Sequence, residues 1–335
     1  MPPEKYNTPP KIVIVSQMFY PDAAATAKVM ADIALHLASN GFSVEVICQD
    51  RSYLDASIQY PEKENWNGIE ISRVQLPCLD KNSLLQRIWL LVRFSLGAYR
   101  KLRISNGSLF FAVSNPPWMG FLASRAAGKK KIPFVFLLHD LYPDILARLG
   151  KLRESSWIYR LARRMTRRTF DRADRIIVLG RDTKHYLLEH YNVRNEKLEI
   201  IPNWGPDSPD HSICSNSTKE STPNEKPFRV VYSGNLGETA EFETLLSAAE
   251  KCITKGKDLE FIILGNGKKQ KWLKDQIEAR HLTNLMLMEF LPETQYREFL
   301  ASASAFFVSL GKDLKGISVP SKTYTYLAAG KPVLA

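Results

Sequence analysis

The sequence contains few cysteines and no closely spaced pair of them. Cys48, Cys78, Cys214 and Cys252 lie far apart in 335 residues, without any C-x-x-C motif. Structural zinc sites and disulfide-stapled domains need such spacings, so both classes are disfavoured. We therefore expect a protein of the reducing cytoplasm.

Long hydrophobic runs are also missing. The first residues, "MPPEKYNTPPKIVIVSQ", have no apolar signal core, and no run approaches the roughly 20 apolar residues that cross a bilayer. These absences predict a soluble or peripheral protein.

Motifs for the common nucleotide cofactors are absent as well. No G-x-G-x-x-G follows an apolar run, and "LGNGKK" at 264–269 lacks the third glycine, which disfavours a nicotinamide or flavin enzyme. No G-x-x-x-x-G-K-[ST] occurs, which disfavours a P-loop kinase or ATPase.

Acidic residues are scarce in one part of the chain. Between Lys81 and Arg175 there are 20 Lys and Arg against 5 Asp and Glu, within a chain of net charge +11. Nucleic acid, phospholipid and phosphorylated substrates would all suit this segment, and a solvated basic face is the alternative. No RNA-binding signature accompanies the charge, so we expect no nucleic acid partner.

Short β-branched runs alternate with helical patterns through most of the chain, which is typical of parallel sheets covered by helices. The first half contains "KIVIVS", "SVEVIC", "IEISRV", "SLFFAVS", "PFVFLLH", "RIIVLG" and "LEIIPN", and the second contains "RVVYSG", "LEFIILG", "LMLMEF", "AFFVSL" and "PVLA". A polar stretch rich in Pro, Ser and Asn separates the two sets. The predicted fold is α/β, with two Rossmann-like doubly wound domains facing a cleft, at 10–204 and 228–335, and a linker at 205–227.

Glycine turns follow two strands of the second half, and a third turn precedes Lys322. The first contains Gly234 and Asn235, and the second contains Gly265 and Gly267. Backbone can approach a phosphate closely at such turns, and ligands bind at the carboxyl ends of parallel strands. Together the turns indicate a nucleotide binder, although each one alone is also explained by tight packing.

A histidine and a carboxylate follow the buried strand "FVFLL". His139 and Asp140 lie where ligands of such sheets bind, and they suit proton transfer or a hydrogen bond to a sugar hydroxyl. The alternative is a histidine that bonds only to a neighbouring loop.

The ordered series "FYPD", "LHLASNGFSVEVI", "HDLYPD", "IIPNW", "YSGNLG", "ILGNGK" and "SVPSKTYTYLAAGKPVLA" resembles the glycosyltransferases of family 4, which have the GT-B architecture. The chain looks most like the bacterial enzymes that build exopolysaccharide, O-antigen or colanic-acid-type polymers. The similarity extends from about Lys11 to Ala335.

The resemblance implies a retaining sugar transfer from a nucleotide-diphosphate sugar, such as a UDP- or GDP-sugar, to a saccharide or polyprenyl-linked acceptor. It implies no cofactor and no metal, and the chain contains no D-x-D motif. His139 and Asp140 would face the transferred sugar, and Tyr20, Pro21 and Asp22 would lie on the acceptor side. The implied donor-binding residues are Gly234, Asn235, Leu236, Gly265, Gly267, Ile317, Ser318, Val319, Pro320, Ser321, Lys322 and Thr325.

Several positions depart from the family pattern. Asn235 and Ala240 stand where many members have arginine and lysine, and Ile317 and Thr325 stand where they have paired glutamates. Positive charge at a leaving diphosphate supplies transition-state stabilisation, for which Lys322 is the nearest replacement. The resemblance also implies that members continue past Ala335, so we expect the second domain to be truncated.

The basic segment contains a predicted amphipathic helix at 82–103. A broad apolar stripe is expected to face the core, which leaves Leu90 and Phe94 outside among arginines. Such a surface suits an anionic bilayer, and we expect peripheral contact with the inner face of the plasma membrane. The expected contact residues are Arg87, Leu90, Arg93, Phe94 and Arg100. A core helix with a basic outer face is the alternative.

Two rival functions remain open. One is a catalytically impaired, membrane-associated protein that binds a nucleotide sugar, motivated by Asn235, Ala240 and Thr325. The other is a nucleotide-sugar epimerase of the same architecture, which would convert the donor without an acceptor.

Overall fold

The computed structural model describes residues 9–22, 24–52, 55–79, 83–205 and 227–335. The chain forms two compact units. The first unit comprises Met1–Pro202 with Gly316–Ser318, and the second comprises Asn203–Lys315 with Val319–Ala335. Most of the predicted linker, 206–226, lies outside the described residues, and the predicted domain limits stay predictions.

The described part of the first unit contains one sheet of eight strands in the order β3-β4-β2-β1-β5-β6-β7-β8. The strands are β1 (Lys11–Val15), β2 (Ser43–Gln49), β3 (Lys63–Trp66), β4 (Ile69–Val74), β5 (Leu109–Val113), β6 (Phe134–Leu138), β7 (Arg175–Val178) and β8 (Leu198–Ile200). All neighbours pair in parallel except β3 and β4. The central strands are apolar and buried, as a sheet covered on both faces requires.

Strand β3 was not predicted. Its sequence, "KENW", contains one apolar residue and therefore shows no alternation. It pairs with β4 across a tight turn at Asn67 and Gly68, both of which have positive φ. An Asn-Gly pair is the usual sequence signal of such a hairpin, so the turn could have been predicted from these two residues.

Six helices of the first unit are described. They are α1 (Ala25–Ser39), α2 (Leu84–Ile104), α3 (Met119–Lys130), α4 (Asp144–Arg148), α5 (Trp157–Arg172) and α6 (Arg181–Tyr191). A short 3-10 turn at Asn195–Lys197 precedes β8. Helix α3 packs against both α2 and α5.

The second unit has a parallel sheet in the order β11-β10-β9-β12-β13 within its described residues. The strands are β9 (Phe228–Ser233), β10 (Leu259–Leu264), β11 (Leu285–Met288), β12 (Ala305–Phe307) and β13 (Val333–Leu334). The helices are α7 (Glu243–Thr254), α8 (Gln270–Ala279), α9 (Glu293–Ala301) and α10 (Lys322–Ala328), with a 3-10 turn at Lys312–Leu314.

Both faces of this second sheet are covered. Val230 and Tyr232 of β9 join a buried cluster with α7 and α8, whereas Val231 between them joins a cluster that includes Phe306 and Tyr326. Alternate residues of one strand thus enter two cores. The predicted fold class, α/β with two Rossmann-like units, is confirmed.

Candidate active site

The glycine turn that follows β9 is joined to the turn that follows β10. The Gly234 N–H donates to the Leu264 carbonyl at 2.9 Å, and the Leu236 N–H donates to the Asn266 carbonyl at 2.9 Å. The Lys269 N–H donates in turn to the Leu236 carbonyl at 3.0 Å. The two turns therefore form one hydrogen-bonded layer at the carboxyl edge of the sheet.

Gly265 and Gly267 are required by this close approach. Both have positive φ, and a Cβ at Gly265 would lie 1.9 Å from the Gly234 carbonyl oxygen. A Cβ at Gly267 would lie 2.5 Å from the Leu236 carbonyl oxygen. Backbone packing accounts for both glycines, because no side chain fits there.

Leu236, one of the implied donor-binding residues, does not present its side chain at the turn. Its side chain is fully buried in the core, and its N–H and carbonyl already bond to the neighbouring turn. Asn235 beside it is exposed, and its carbonyl accepts a hydrogen bond from the Tyr232 hydroxyl at 3.1 Å. The Asn235 side chain is therefore exposed at the turn, whereas the Leu236 side chain packs in the core beneath it.

Lys322 lies over this turn. It opens α10, and a Cβ built on Gly234 would lie 3.3 Å from the Lys322 Cε atom. The lysine stem therefore crosses Gly234. Thr325, one turn further along α10, is half-buried.

Tyr326 holds the end of β9 and was not identified from the sequence. Its fully buried hydroxyl accepts from the Ser233 N–H at 2.7 Å and donates to the Ser233 carbonyl at 3.0 Å. Its ring stacks on Phe306 at 4.2 Å. The contact joins residues 93 positions apart, so no local sequence pattern predicts it.

The loop before α10 contains residues that belong to the first unit. Ile317 is 1% exposed and its carbonyl accepts from the Leu141 N–H at 3.0 Å. The Ser318 hydroxyl donates to Asp140 Oδ1 at 2.6 Å. Ile317 therefore supports the loop through packing and backbone, and its side chain is not available to a ligand. Val319 and Pro320 are half-buried and Ser321 is exposed.

His139 and Asp140 are fixed by Ser114 at the end of β5. The Ser114 hydroxyl oxygen accepts from the His139 N–H at 3.0 Å and from the Asp140 N–H at 3.3 Å. Ser114 was not identified from the sequence, because its role depends on two strands being adjacent. It orients the two predicted catalytic residues through their backbone.

Burial changes the protonation of this pair. It lowers the pKa of His139 to about 4, so the imidazole is neutral at neutral pH. Its Nε2 atom is buried and has no hydrogen-bond partner among the residues that the structure describes. Burial raises the pKa of Asp140, an effect that the hydrogen bond from Ser318 partly offsets. A neutral, unpartnered imidazole suits a hydrogen bond to a neutral hydroxyl.

The predicted acceptor-side residues, Tyr20 to Asp22, contact the hairpin formed by β3 and β4. The Tyr20 ring stacks on Trp66 with ring centroids 4.2 Å apart, and Arg73 Nη2 donates to the Tyr20 carbonyl at 3.0 Å. Pro21 is exposed and Asp22 is buried. Trp66 and Arg73 were missed because their partners lie far away in the chain.

The predicted orientation of α2 is wrong at Phe94. Phe94 is fully buried and Leu90 is partly buried, whereas Leu85 is 78% exposed and Leu96 is 48% exposed. The cause is the small residues on the Phe94 side: a Cβ on Gly97 would lie 2.4 Å from a methyl group of Val74. Helix α2 therefore packs against the sheet with the side that contains Phe94 and Gly97. Its broad apolar stripe faces outward.

The arginines predicted beside Phe94 are exposed as expected, namely Arg87, Arg93 and Arg100. The Arg93 guanidinium lies 5.1 Å from the centre of the Trp89 ring, which belongs to the outward stripe.

Along the described ranges, no helix combines the length and apolar character of a membrane span. The same residues contain no group of three His, Cys, Asp or Glu side chains placed to hold a metal.

Two Rossmann-like units, one with a lysine-covered glycine turn and the other with a half-buried His-Asp pair, define the GT-B class of fold. Sequence comparison agrees with this assignment. The profile of Glycosyltransferase Family 4 matches residues 26–204, and that of Glycosyl transferases group 1 matches residues 215–335. The chain belongs to glycosyltransferase family 4.

Named relatives support the family. The probable glycosyltransferase WbjE of Pseudomonas aeruginosa is 30% identical over 268 residues, which are 78% of this chain and 66% of that protein. The putative colanic acid biosynthesis glycosyl transferase WcaI of Escherichia coli is 22% identical, with 96% of this chain and 81% of that protein covered. The chain thus spans just under two thirds of WbjE.

A solved structure shares the fold. HepE from Anabaena, determined in complex with UDP, superposes with a TM-score of 0.64 at 16% identity, over 97% of this chain and 80% of that protein. At this identity the likeness shows the fold alone.

Proposed function

We propose that the protein transfers a sugar from a nucleotide-diphosphate sugar to a saccharide or polyprenyl-linked acceptor in bacterial cell-surface polysaccharide synthesis. The single observation that carries the proposal is Lys322 lying over Gly234, because it puts a cation at a glycine turn at the carboxyl edge of the sheet. The second unit binds the donor and the first binds the acceptor. UDP in HepE and colanic acid synthesis by WcaI support this class of donor and product.

The reaction we propose retains the configuration of the sugar. The acceptor hydroxyl attacks the anomeric carbon from the side of the leaving group, the glycosidic bond to the diphosphate breaks, and the hydroxyl proton moves to the released diphosphate. Lys322 stabilises the negative charge that develops there. His139 is neutral and therefore orients a sugar hydroxyl instead of donating a proton.

The test is release of UDP or GDP from a panel of nucleotide sugars with a lipid-linked acceptor. Lys322→Ala should lower kcat by about 100- to 1000-fold, the range for loss of one group that stabilises the charge of the transition state. Lys255→Ala is the matched control, because Lys255 is exposed at the opposite edge of the sheet, before β10. Equal activity of the two variants would contradict the role of Lys322.

A protein that binds the nucleotide sugar without turnover is the second candidate. The observation in its favour is that Asn235, Ala240 and Thr325 stand where the family resemblance implies charged residues. Binding of the donor without nucleotide release in any acceptor mixture would support it. Conversion of the donor sugar without acceptor would instead indicate an epimerase.

We further propose that the outward stripe of α2 contacts an anionic membrane. The stripe consists of Leu85, Ile88, Trp89, Val92 and Leu96, each at least 39% exposed. Arg93 lies beside Trp89, so apolar and cationic groups are presented together. This combination suits the interface between acyl chains and anionic headgroups.

Sedimentation with phosphatidylglycerol vesicles tests this surface. Trp89→Ser combined with Leu96→Ser should reduce the bound fraction at least several-fold. Each replacement removes apolar surface that the bilayer would otherwise bury. Trp272→Ser on α8 is the control, because Trp272 is a similarly exposed tryptophan of the second unit. Unchanged binding of the α2 variant would refute the proposed surface.

A further inference from the structure

Arg73 is the largest side chain among the fully buried residues, and the reaction proposed above gives it no role. It lies on β4, within the sheet of the first unit. A buried guanidinium requires strong compensation, because removing a charge from water is costly. Its partners therefore show what its position stabilises.

Arg73 joins three separate segments of the first unit. Nη1 donates to the Pro61 carbonyl at 2.9 Å and lies 2.8 Å from Glu64 Oε2, on the neighbouring hairpin strand. Nη2 donates to the Tyr20 carbonyl at 3.0 Å. One planar side chain thus connects the loop after β1 with the approach to β3 and with β3 itself.

The hairpin holds the same loop through a second contact. The Trp66 ring stacks on Tyr20 with an interplanar angle of 12°, and it meets Phe19 edge-on at 6.0 Å. The Asp22 N–H donates to the Phe19 carbonyl at 3.0 Å and closes the turn. Backbone and side chain of Tyr20 are therefore both fixed by residues of the β3-β4 hairpin.

We propose that Arg73 and Trp66 are positioning residues that fix the Phe19–Asp22 loop and thereby set the affinity for the acceptor. The inference rests on the proposed function, in which this loop lies on the acceptor side. A guanidinium fork reaches two carbonyls at once, which a lysine ammonium does not reproduce. A flat ring on Tyr20 limits the loop to one orientation.

Arg73→Lys keeps the positive charge beside Glu64 and loses the fork. Loss of one charge-assisted hydrogen bond to the loop corresponds to a rise of about 10-fold in the acceptor KM. The donor KM should change by less than about twofold, because donor binding belongs to the second unit. Trp66→Leu should act in the same direction, and Trp66→Phe should restore most of the affinity because it restores stacking.

Arg175→Lys is the matched control. Arg175 begins β7 of the same sheet and is exposed, with Glu199 at 3.8 Å. We expect both of its KM values to equal those of the unmodified protein. Equal rises in donor and acceptor KM for Arg73→Lys, or no change in either, would overturn the inference.

Hydrogen exchange separates this inference from the proposed function. The amides of residues 18–20 and of Asp22 should exchange faster in Arg73→Lys and Trp66→Leu, while those of β9 should not change. If the unmodified protein transfers no sugar, the proposed function fails, and the exchange rates still test the positioning of the loop. Unchanged exchange at residues 18–20 and Asp22 would refute the positioning role even in an active enzyme.

Discussion

At the scale of single residues, His139 lies in an environment that disfavours its charged form. Burial removes water from the imidazole without supplying a partner for Nε2. An unpartnered buried polar atom costs folding free energy unless a ligand satisfies it. The hydrogen bonds that the His139 and Asp140 N–H groups donate to the Ser114 hydroxyl hold the backbone that carries the ring despite this cost.

Titration of His139 should make stability depend on pH. Its pKa of about 4 lies below the ordinary value of 6.5, so the unfolded chain binds the proton more tightly. The histidine therefore has no effect above pH 6.5 and destabilises the fold progressively as the pH falls from 6.5 towards 4. At pH 5 the loss amounts to about 2 kcal/mol.

Urea unfolding of the protein and of His139→Gln at pH 7.5 and pH 5 measures this effect. The raised pKa of Asp140 acts in the opposite sense, because the protonated carboxyl favours the folded state at low pH. Asp140 remains in both proteins, so their difference isolates His139. Equal losses of stability between the two pH values would contradict the assignment.

At the scale of elements, the joined turns after β9 and β10 depend on glycine. Gly265→Ala adds a methyl group 1.9 Å from the Gly234 carbonyl oxygen, at a residue with φ of +154°. We expect a loss of about 2 to 4 kcal/mol from the unfolding transition of the second unit, because backbone must move to relieve the contact.

Gly128→Ala is the control for this substitution. Gly128 lies in α3, has no neighbour within 4 Å of a built Cβ, and has no positive φ. Alanine there should leave stability unchanged or raise it by roughly 0.5 to 1 kcal/mol. Equal effects of the two alanines in urea unfolding would show that the turns are not tightly packed.

The strands other than β3 could be predicted from the sequence, whereas the orientation of α2 could not. Central strands such as "KIVIV" and "FVFLL" are continuous apolar runs, and the structure has β1 and β6 there. For α2, the number of apolar residues favoured the wrong side. The contact of Gly97 with Val74 shows why: small residues determine how closely a helix approaches a sheet.

The candidate site was predictable only in part, for a related reason. His139, Gly234 and Lys322 follow strands or open helices, so local pattern places them at the carboxyl edges of the sheets. Ser114, Tyr326 and Arg73 act on residues distant in the chain, and their hydrogen bonds exist only once the strands are paired. A single sequence contains no local signal for such partners.

At the scale of the whole molecule, the division into two units predicts that a nucleotide stabilises one unit and not the other. A ligand that binds only the folded form stabilises it by about 2.7 kcal/mol at 100 times its Kd. The proposed donor turn and Lys322 belong to the second unit, so UDP or GDP should raise the melting temperature of that unit. A shift of roughly 10 °C is expected for a unit of about 100 residues.

Calorimetry with nucleotide and with inorganic pyrophosphate tests this response. Pyrophosphate should produce a smaller shift in the same transition, because it keeps the charge that Lys322 binds and lacks the nucleoside. Lys322→Ala should reduce the shift from either ligand, and Lys255→Ala should not. A shift confined to the first unit, or one that Lys322→Ala leaves intact, would place the nucleotide away from the glycine turn and refute the donor site.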